Sequence, residues 1–162
     1  MKRPLMLLIS ILLCCFYTGY SQNHHMNDHN QMNKNGNQVM GFDQKTTTHH
    51  FTLTQNGGSI QVTANDSDTT TVQHICAHLN QVSKAFANGD FSMPEKVHSQ
   101  VPPGTATMIK LKKDINYEYS DIPNGGIVKI TTNNKEALSA VHQFLKFQIR
   151  EHKTGDPTSV QK

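Results

Sequence analysis

HHFTLTQNGGSIQVTAN, residues 49–65, reads as a β-hairpin. Phe51 and Leu53 alternate with polar residues before Asn56-Gly57-Gly58, and Ile60 and Val62 alternate after it. Period-two alternation puts the apolar side chains on one face of a strand. Asn and Gly tolerate the positive φ of tight hairpin turns. Just upstream, TTTHHF (residues 46–51) marks the point where a polar lead-in gives way to the first hydrophobic run. Two adjacent histidines, His49 and His50, sit at that junction.

A helix should follow the hairpin. Asp66, Ser67 and Asp68 are N-cap candidates, and Val72, Ile75, Leu79, Val82 and Phe86 recur at the 3-4 spacing of one helical stripe across residues 69–88. Gly89 closes it. Residues 91–104, with Pro94, Pro102, Pro103 and Gly104, read as an irregular connection, and 105–113 as a short helix with Met108 and Leu111 inward. The pattern then returns. Ile115, Tyr117 and Tyr119 alternate, Asn124-Gly125-Gly126 forms a turn, and Val128 and Ile130 alternate again. Asn133 or Asn134 caps a last helix over residues 135–153, striped by Leu138, Val141, Leu145 and Ile149 and ended by Gly155. The expected fold is therefore α+β, with two β-β-α units forming a four-stranded antiparallel sheet and two helices packed on one face. Residues 46–156 make a single domain and 157–162 a disordered tail. Each unit alone leaves an apolar face half exposed, so neither should fold separately.

The flanking segments differ in character. Lys2 and Arg3 precede an apolar run over residues 5–16, too short to span a membrane comfortably, and Gly19-Tyr20-Ser21 resembles a cleavage site. Residues 1–21 read as a secretory signal peptide, so the protein is expected to be exported, periplasmic or extracellular. Cys14 and Cys15 are candidate lipid attachment sites, although the residues before Cys15 lack the small side chain such processing prefers. Residues 22–45 are rich in Asn and Gln and poor in aliphatic side chains, and read as a disordered lead-in. Its end, residues 39–43 (VMGFD), has apolar anchors suited to docking on the domain. Without Lys2 and Arg3, thirteen basic residues face twelve acidic ones, a net charge of +1 that makes no footprint for nucleic acid. Cys76 is then the one remaining cysteine, so no internal disulfide is available.

Histidine is the outstanding residue: all ten lie after residue 21. Imidazole suits copper, zinc and nickel, and thioether suits Cu(I). His24, His25, Met26 and His29 in the lead-in form a candidate capture site for a soft metal, or else a polar spacer of biased composition. His49 and His50 are consecutive on a strand and point to opposite faces. His74 and His78 are one turn apart on a helix, off its apolar stripe, which suits either a helical metal pair or a solvated face. His152 projects near the centre of the last helix's stripe and His142 at its edge, and such histidines need a hydrogen-bond partner or a metal. His98 lies in the proline-bounded connection, with Met108 beyond it as a thioether donor. No HExxH, nucleophile elbow, phosphate loop, CxxC or paired-carboxylate pattern is present.

MGFDQKTTTHHF (40–51), the Asn-Gly-Gly hairpin, GDF (89–91), VPPG (101–104) and HQFLKFQIREHKTGDP (142–157) together resemble a family of small exported bacterial proteins without an established activity. The resemblance covers nearly the whole domain and not the Asn-rich lead-in. Proteins of this look sometimes carry an aspartate carbamoyltransferase label. That activity is not supported here, because the chain lacks a Ser-Thr-Arg-Thr phosphate-binding motif and is far shorter than such an enzyme.

The expectation is an exported protein that binds a transition metal, copper first and zinc second. His49, His50, His98 and Met108 would serve in the domain, with His24, His25, Met26 and His29 as an auxiliary site. The alternative is a non-enzymatic domain that binds an envelope protein through its sheet, marked by an exposed aromatic patch at Tyr117 and Tyr119, with the histidines incidental. An enzyme would need a histidine paired to a carboxylate, for which Asp114 and Glu118 are the nearby candidates. No organic cofactor is implied.

Overall fold

Both hairpins form, and each closes more tightly than its Asn-Gly-Gly signal implies. In the computed structural model, which describes residues 31–162 apart from 33 and 67, β1 is Thr47–Thr54 and β2 is Gly57–Ala64. The loop is thus Gln55-Asn56, and the two glycines already belong to the strand. β3 (Ile115–Ile122) and β4 (Gly125–Thr132) repeat the arrangement around Pro123-Asn124, with Asn124 at φ 60°. Strand order is β1-β2-β4-β3 and every neighbouring pair is antiparallel. The glycines serve the centre of this sheet. A Cβ on Gly57 would lie 1.8 Å from the Ile130 carbonyl oxygen, and one on Gly125 would lie 2.0 Å from that of Val62.

Residues 34–40 form α1. α2 (Thr69–Ala87) is capped by Asp68, whose carboxylate accepts from Thr71 N–H at 2.8 Å. α5 (Lys135–His152) is capped by Asn134, which accepts from the Glu136 and Ala137 amides. α2 follows the first hairpin yet packs chiefly on β3 and β4, while α5 follows the second hairpin and packs on β1. Each helix therefore covers the other unit's strands, which is the physical reason the two units need each other. Leu53, Val62, Ile75, Leu79, Val128 and Leu145 are among the side chains sealed between sheet and helices. The expected α+β architecture is the one observed.

Three boundaries differ from the sequence reading. The connection after α2 contains a helix, α3 (Ser92–His98), because Pro94 sits in its first turn, where a missing N–H costs nothing. α4 (Thr105–Lys110) follows, with Met108 fully buried, and a 3-10 turn (Lys112–Asp114) leads into β3. The lead-in is not disordered through residue 45. α1 ends at Gly41 (φ 78°), Met40 and Phe42 are buried in the core, and Asn35 Nδ2 donates to Ser99 Oγ at 3.1 Å beyond the end of α3. Few apolar side chains suffice here because they insert into a gap the domain leaves open. The C-terminal tail also has a place: Gln161 bridges to Thr54 beside β1 and its N–H donates to Leu53 O at 2.8 Å. The described residues from Met32 to Lys162 make one unit. Residues 1–21, read from sequence as a signal peptide, and His24, His25, Met26 and His29 lie outside the described residues.

Candidate functional site

Four histidines from four separate elements line one cavity: His49 from β1, His78 from α2, His98 from α3 and His152 from α5. Strand alternation turns His49 and Phe51 toward the helices. His98 ends α3, where Ser99 turns left-handed at φ 53°. His152 ends α5, where Lys153 does the same at φ 52°. Two methionines, Met40 from α1 and Met93 from α3, complete the polarisable part of the lining. The rest is apolar, including Phe51, Ile60, Leu79 and Val82. Among the lining residues there is no Asp, Glu or Cys. The cavity has a volume of about 70 Å³, room for a few water molecules. Drug-sized ligands occupy sites of roughly 300 Å³ upward, so an ion or very small molecule fits better than an organic cofactor.

The imidazoles pack closely. The His152 ring centroid is 5.3 Å from that of His49 and 5.2 Å from that of His98. Phe42 meets His78 edge-on at 5.7 Å and tilts against His49 at 6.4 Å, so the lead-in forms part of the cavity's surroundings. Gln148 Oε1 lies 2.9 Å from His98 Nε2. An amide oxygen only accepts, so Nε2 carries the proton and Nδ1 keeps the lone pair. That Nδ1 is buried with no hydrogen-bond partner among the described residues, as is Nε2 of His49. A buried imidazole nitrogen left bare is uncommon and calls for a reason.

Burial favours the neutral form of His49, His78 and His98. It lowers His49 to about 4, with the charges of His78 and His50 adding to the effect, and lowers His78 to about 4. His98 is also lowered by burial, against opposing pulls from Gln148 and Glu151. Neutral imidazole is the form that ligates metals. Among the described residues, however, no three His, Cys, Asp or Glu side chains are arranged to close on one ion.

Of the residues singled out from sequence, the fold brings His49 and His98 to this cavity and takes His50 and Met108 elsewhere. His50 points to the opposite face of β1 and pairs with Asp156, Nδ1 to Oδ1 at 2.9 Å. Asp156 also accepts from Phe51 N–H at 2.8 Å and Thr154 Oγ at 2.7 Å. Burial pulls the Asp156 carboxyl upward, but the His50, Phe51 and Thr154 hydrogen bonds together hold it below the usual range. Asp114 bonds Asn134 Nδ2 instead of a histidine, and Glu118 lies opposite Lys129. Met108 is enclosed in the core on α4. His142 donates from Nε2 to Thr54 O and Gly57 O, both at 3.0 Å, and so braces the first hairpin.

The expected ligand set left out His78, weighed only as half of a helical pair with His74, and Met40, read as part of the lead-in; Met93 was missed altogether. His78 sits next to Leu79 at the margin of the α2 stripe, and the docked Phe42 converts that margin from solvated to covered. The VMGFD anchors were the available signal. Tyr117 and Tyr119 do not form an exposed patch. They share the helix-covered face, with the Tyr117 hydroxyl buried and Tyr119 bonded to Asp121. Cys76 donates to Gly125 O at 3.4 Å beside the sheet. Comparison of the chain with family models, with curated proteins and with solved structures found no match.

Proposed function

We propose that this is an exported metal-binding protein whose folded unit takes up copper in the cavity lined by His49, His78, His98 and His152. One observation carries the reading: His49 and His98, far apart in sequence, each leave a buried nitrogen unpartnered and line the same small cavity. Leaving two such nitrogens bare costs about 1–3 kcal/mol each, a cost that a ligand binding there would offset. Neutral imidazoles in a shell without competing carboxylates suit a borderline or soft transition metal. The lead-in residues His24, His25, Met26 and His29 serve as a weaker, auxiliary capture site. The reading involves no reaction.

The test is metal retention. The full chain is loaded with copper or zinc, passed through gel filtration, and compared with His49→Leu, His98→Leu and a variant whose lead-in His24, His25, Met26 and His29 are replaced by serine. One equivalent of copper that survives loss of the lead-in side chains but not His49→Leu or His98→Leu supports the reading. Copper that disappears with the lead-in substitutions alone, or no retained metal at all, sinks it.

A further inference from the structure

We infer that the ion the cavity is built for is monovalent copper, held by the bare nitrogens of His49 and His98 together with the thioethers of Met40 and Met93, to the exclusion of divalent ions. The inference rests on the proposed metal-binding reading and names the oxidation state and ligand set.

Three observations lead there. First, the lining holds imidazole and thioether but no carboxylate or thiolate. A divalent ion in such a cavity keeps both charges uncompensated in apolar surroundings, and because the solvation cost of an ion grows with the square of its charge, the penalty is roughly four times that of a monovalent one. Second, among the described residues no three His, Cys, Asp or Glu groups close on one point. Zinc is almost always four-coordinate in structural sites and keeps three protein ligands in catalytic ones. Cu(I) is selected by soft thioether donors, and this cavity supplies them from two separate helices. Third, the two methionines arrive with the covering elements. Met40 ends α1, which is tied beyond the end of α3 by Asn35, and Met93 lies in the first turn of α3, whose last residue is His98. Closure of the cavity and completion of the donor set are therefore one structural event.

The experiment is an anaerobic competition of the full chain for Cu(I) against bathocuproine disulfonate, run beside Zn(II) and Cu(II) titrations, on the wild type, Met40→Leu, Met93→Leu, and His98→Leu. Leucine nearly conserves methionine's volume, and a matching far-UV spectrum and unfolding midpoint confirm that each variant folds. The expected result is one Cu(I) bound at least a hundred-fold more tightly than Zn(II) or Cu(II). Each methionine substitution should weaken Cu(I) ten-fold or more without moving the divalent ions, and copper-edge absorption should show a sulfur scatterer that diminishes in the same variants. Divalent ions held as tightly as Cu(I), or methionine variants that bind Cu(I) unchanged while His98→Leu does not, would overturn the Cu(I)–thioether assignment and leave metal binding standing. If no metal depends on His98, both fall together.

Discussion

His98 and Gln148 are joined by a 2.9 Å hydrogen bond that decides which imidazole nitrogen stays bare. The amide oxygen fixes the proton on Nε2, so the lone pair on Nδ1 is preset by a neutral partner rather than by a hydrogen-bonded carboxylate. This is the role that outer-shell acceptors play for ligating histidines, and their loss typically costs 10–100-fold in metal affinity. Gln148→Leu is therefore expected to weaken copper binding by about that factor while leaving the chain folded, with a stability loss of about 1–3 kcal/mol from the abandoned His98 N–H. Calorimetric titration of Gln148→Leu against His98→Leu separates the two roles. An unchanged affinity in Gln148→Leu would show that the tautomer does not matter.

Acid should destabilise the metal-free protein well above the carboxylate range. His49 and His78 are lowered from 6.5 to about 4 by burial, so between those values the unfolded chain binds protons that the folded one refuses. Their neutral burial costs nothing above about pH 6.5, and stability then falls as pH drops through 6 and 5, leveling near 4. Each group contributes a slope of about 1.4 kcal/mol per pH unit, so the pair removes several kcal/mol over the window. His98 adds in the same direction. Urea unfolding of chelator-treated protein at pH 7.5, 6.0 and 5.0 should show a falling midpoint, and His78→Leu should flatten the fall. A midpoint flat to pH 5 would mean that these rings are protonated in the folded state.

Much of the fold can be read from residue spacing, because hairpins and amphipathic helices are local. Phe51 and Leu53, Ile60 and Val62, and the Ile75–Leu79–Phe86 and Val141–Leu145–Ile149 stripes all lie where alternation and helical periodicity put them. His49 pointing in and His50 pointing out follow from strand geometry alone, and His152 on the α5 stripe does line the interior. The cavity itself is not local. It depends on Phe42 and Met40 docking against β1 and α2, and on Pro94 opening a helix that delivers Met93 and His98 together. Proline in a loop and proline in a first turn look alike in sequence, and a short segment with two apolar anchors looks like a spacer until the gap it fills is known. Met108 was a plausible thioether donor by its place in the chain, yet α4 buries it in the core instead.

The central strand pair should be intolerant of any side chain at Gly57 or Gly125. β2 and β4 meet with Gly57 opposite Thr131 and Gly125 opposite Thr63, and a Cβ at either glycine collides with a backbone carbonyl rather than a movable side chain. Relief would require the two hairpins to separate along the seam that makes one sheet of four strands. Gly125→Ala is expected to cost about 3 kcal/mol or more, at the severe end for a single methyl group. Thermal unfolding of Gly125→Ala beside Ser59→Ala on the open face gives the comparison. A loss under about 1 kcal/mol would mean that the strands adjust easily.

Asp156 is expected to matter for stability and His50 hardly at all, although they are partners. The carboxylate accepts from His50, from the Phe51 amide and from Thr154, and so ties the end of α5 to β1. Removing it strands the Phe51 N–H and frees the segment that runs on to Gln161 beside β1, at a cost of about 1–3 kcal/mol. His50 is 48% exposed, and replacing it by Ala leaves Asp156 two other donors and access to water, a loss of at most about 1 kcal/mol. Because this pair lies on the opposite face of β1 from the cavity, neither Asp156→Ala nor His50→Ala should change copper affinity once folding is controlled for. Urea midpoints and Cu(I) competition on both variants test the separation directly. A His50→Ala variant that keeps its stability but loses copper would move the metal from the four-histidine cavity to the outer face, where Asp156 would then be orienting the ligand.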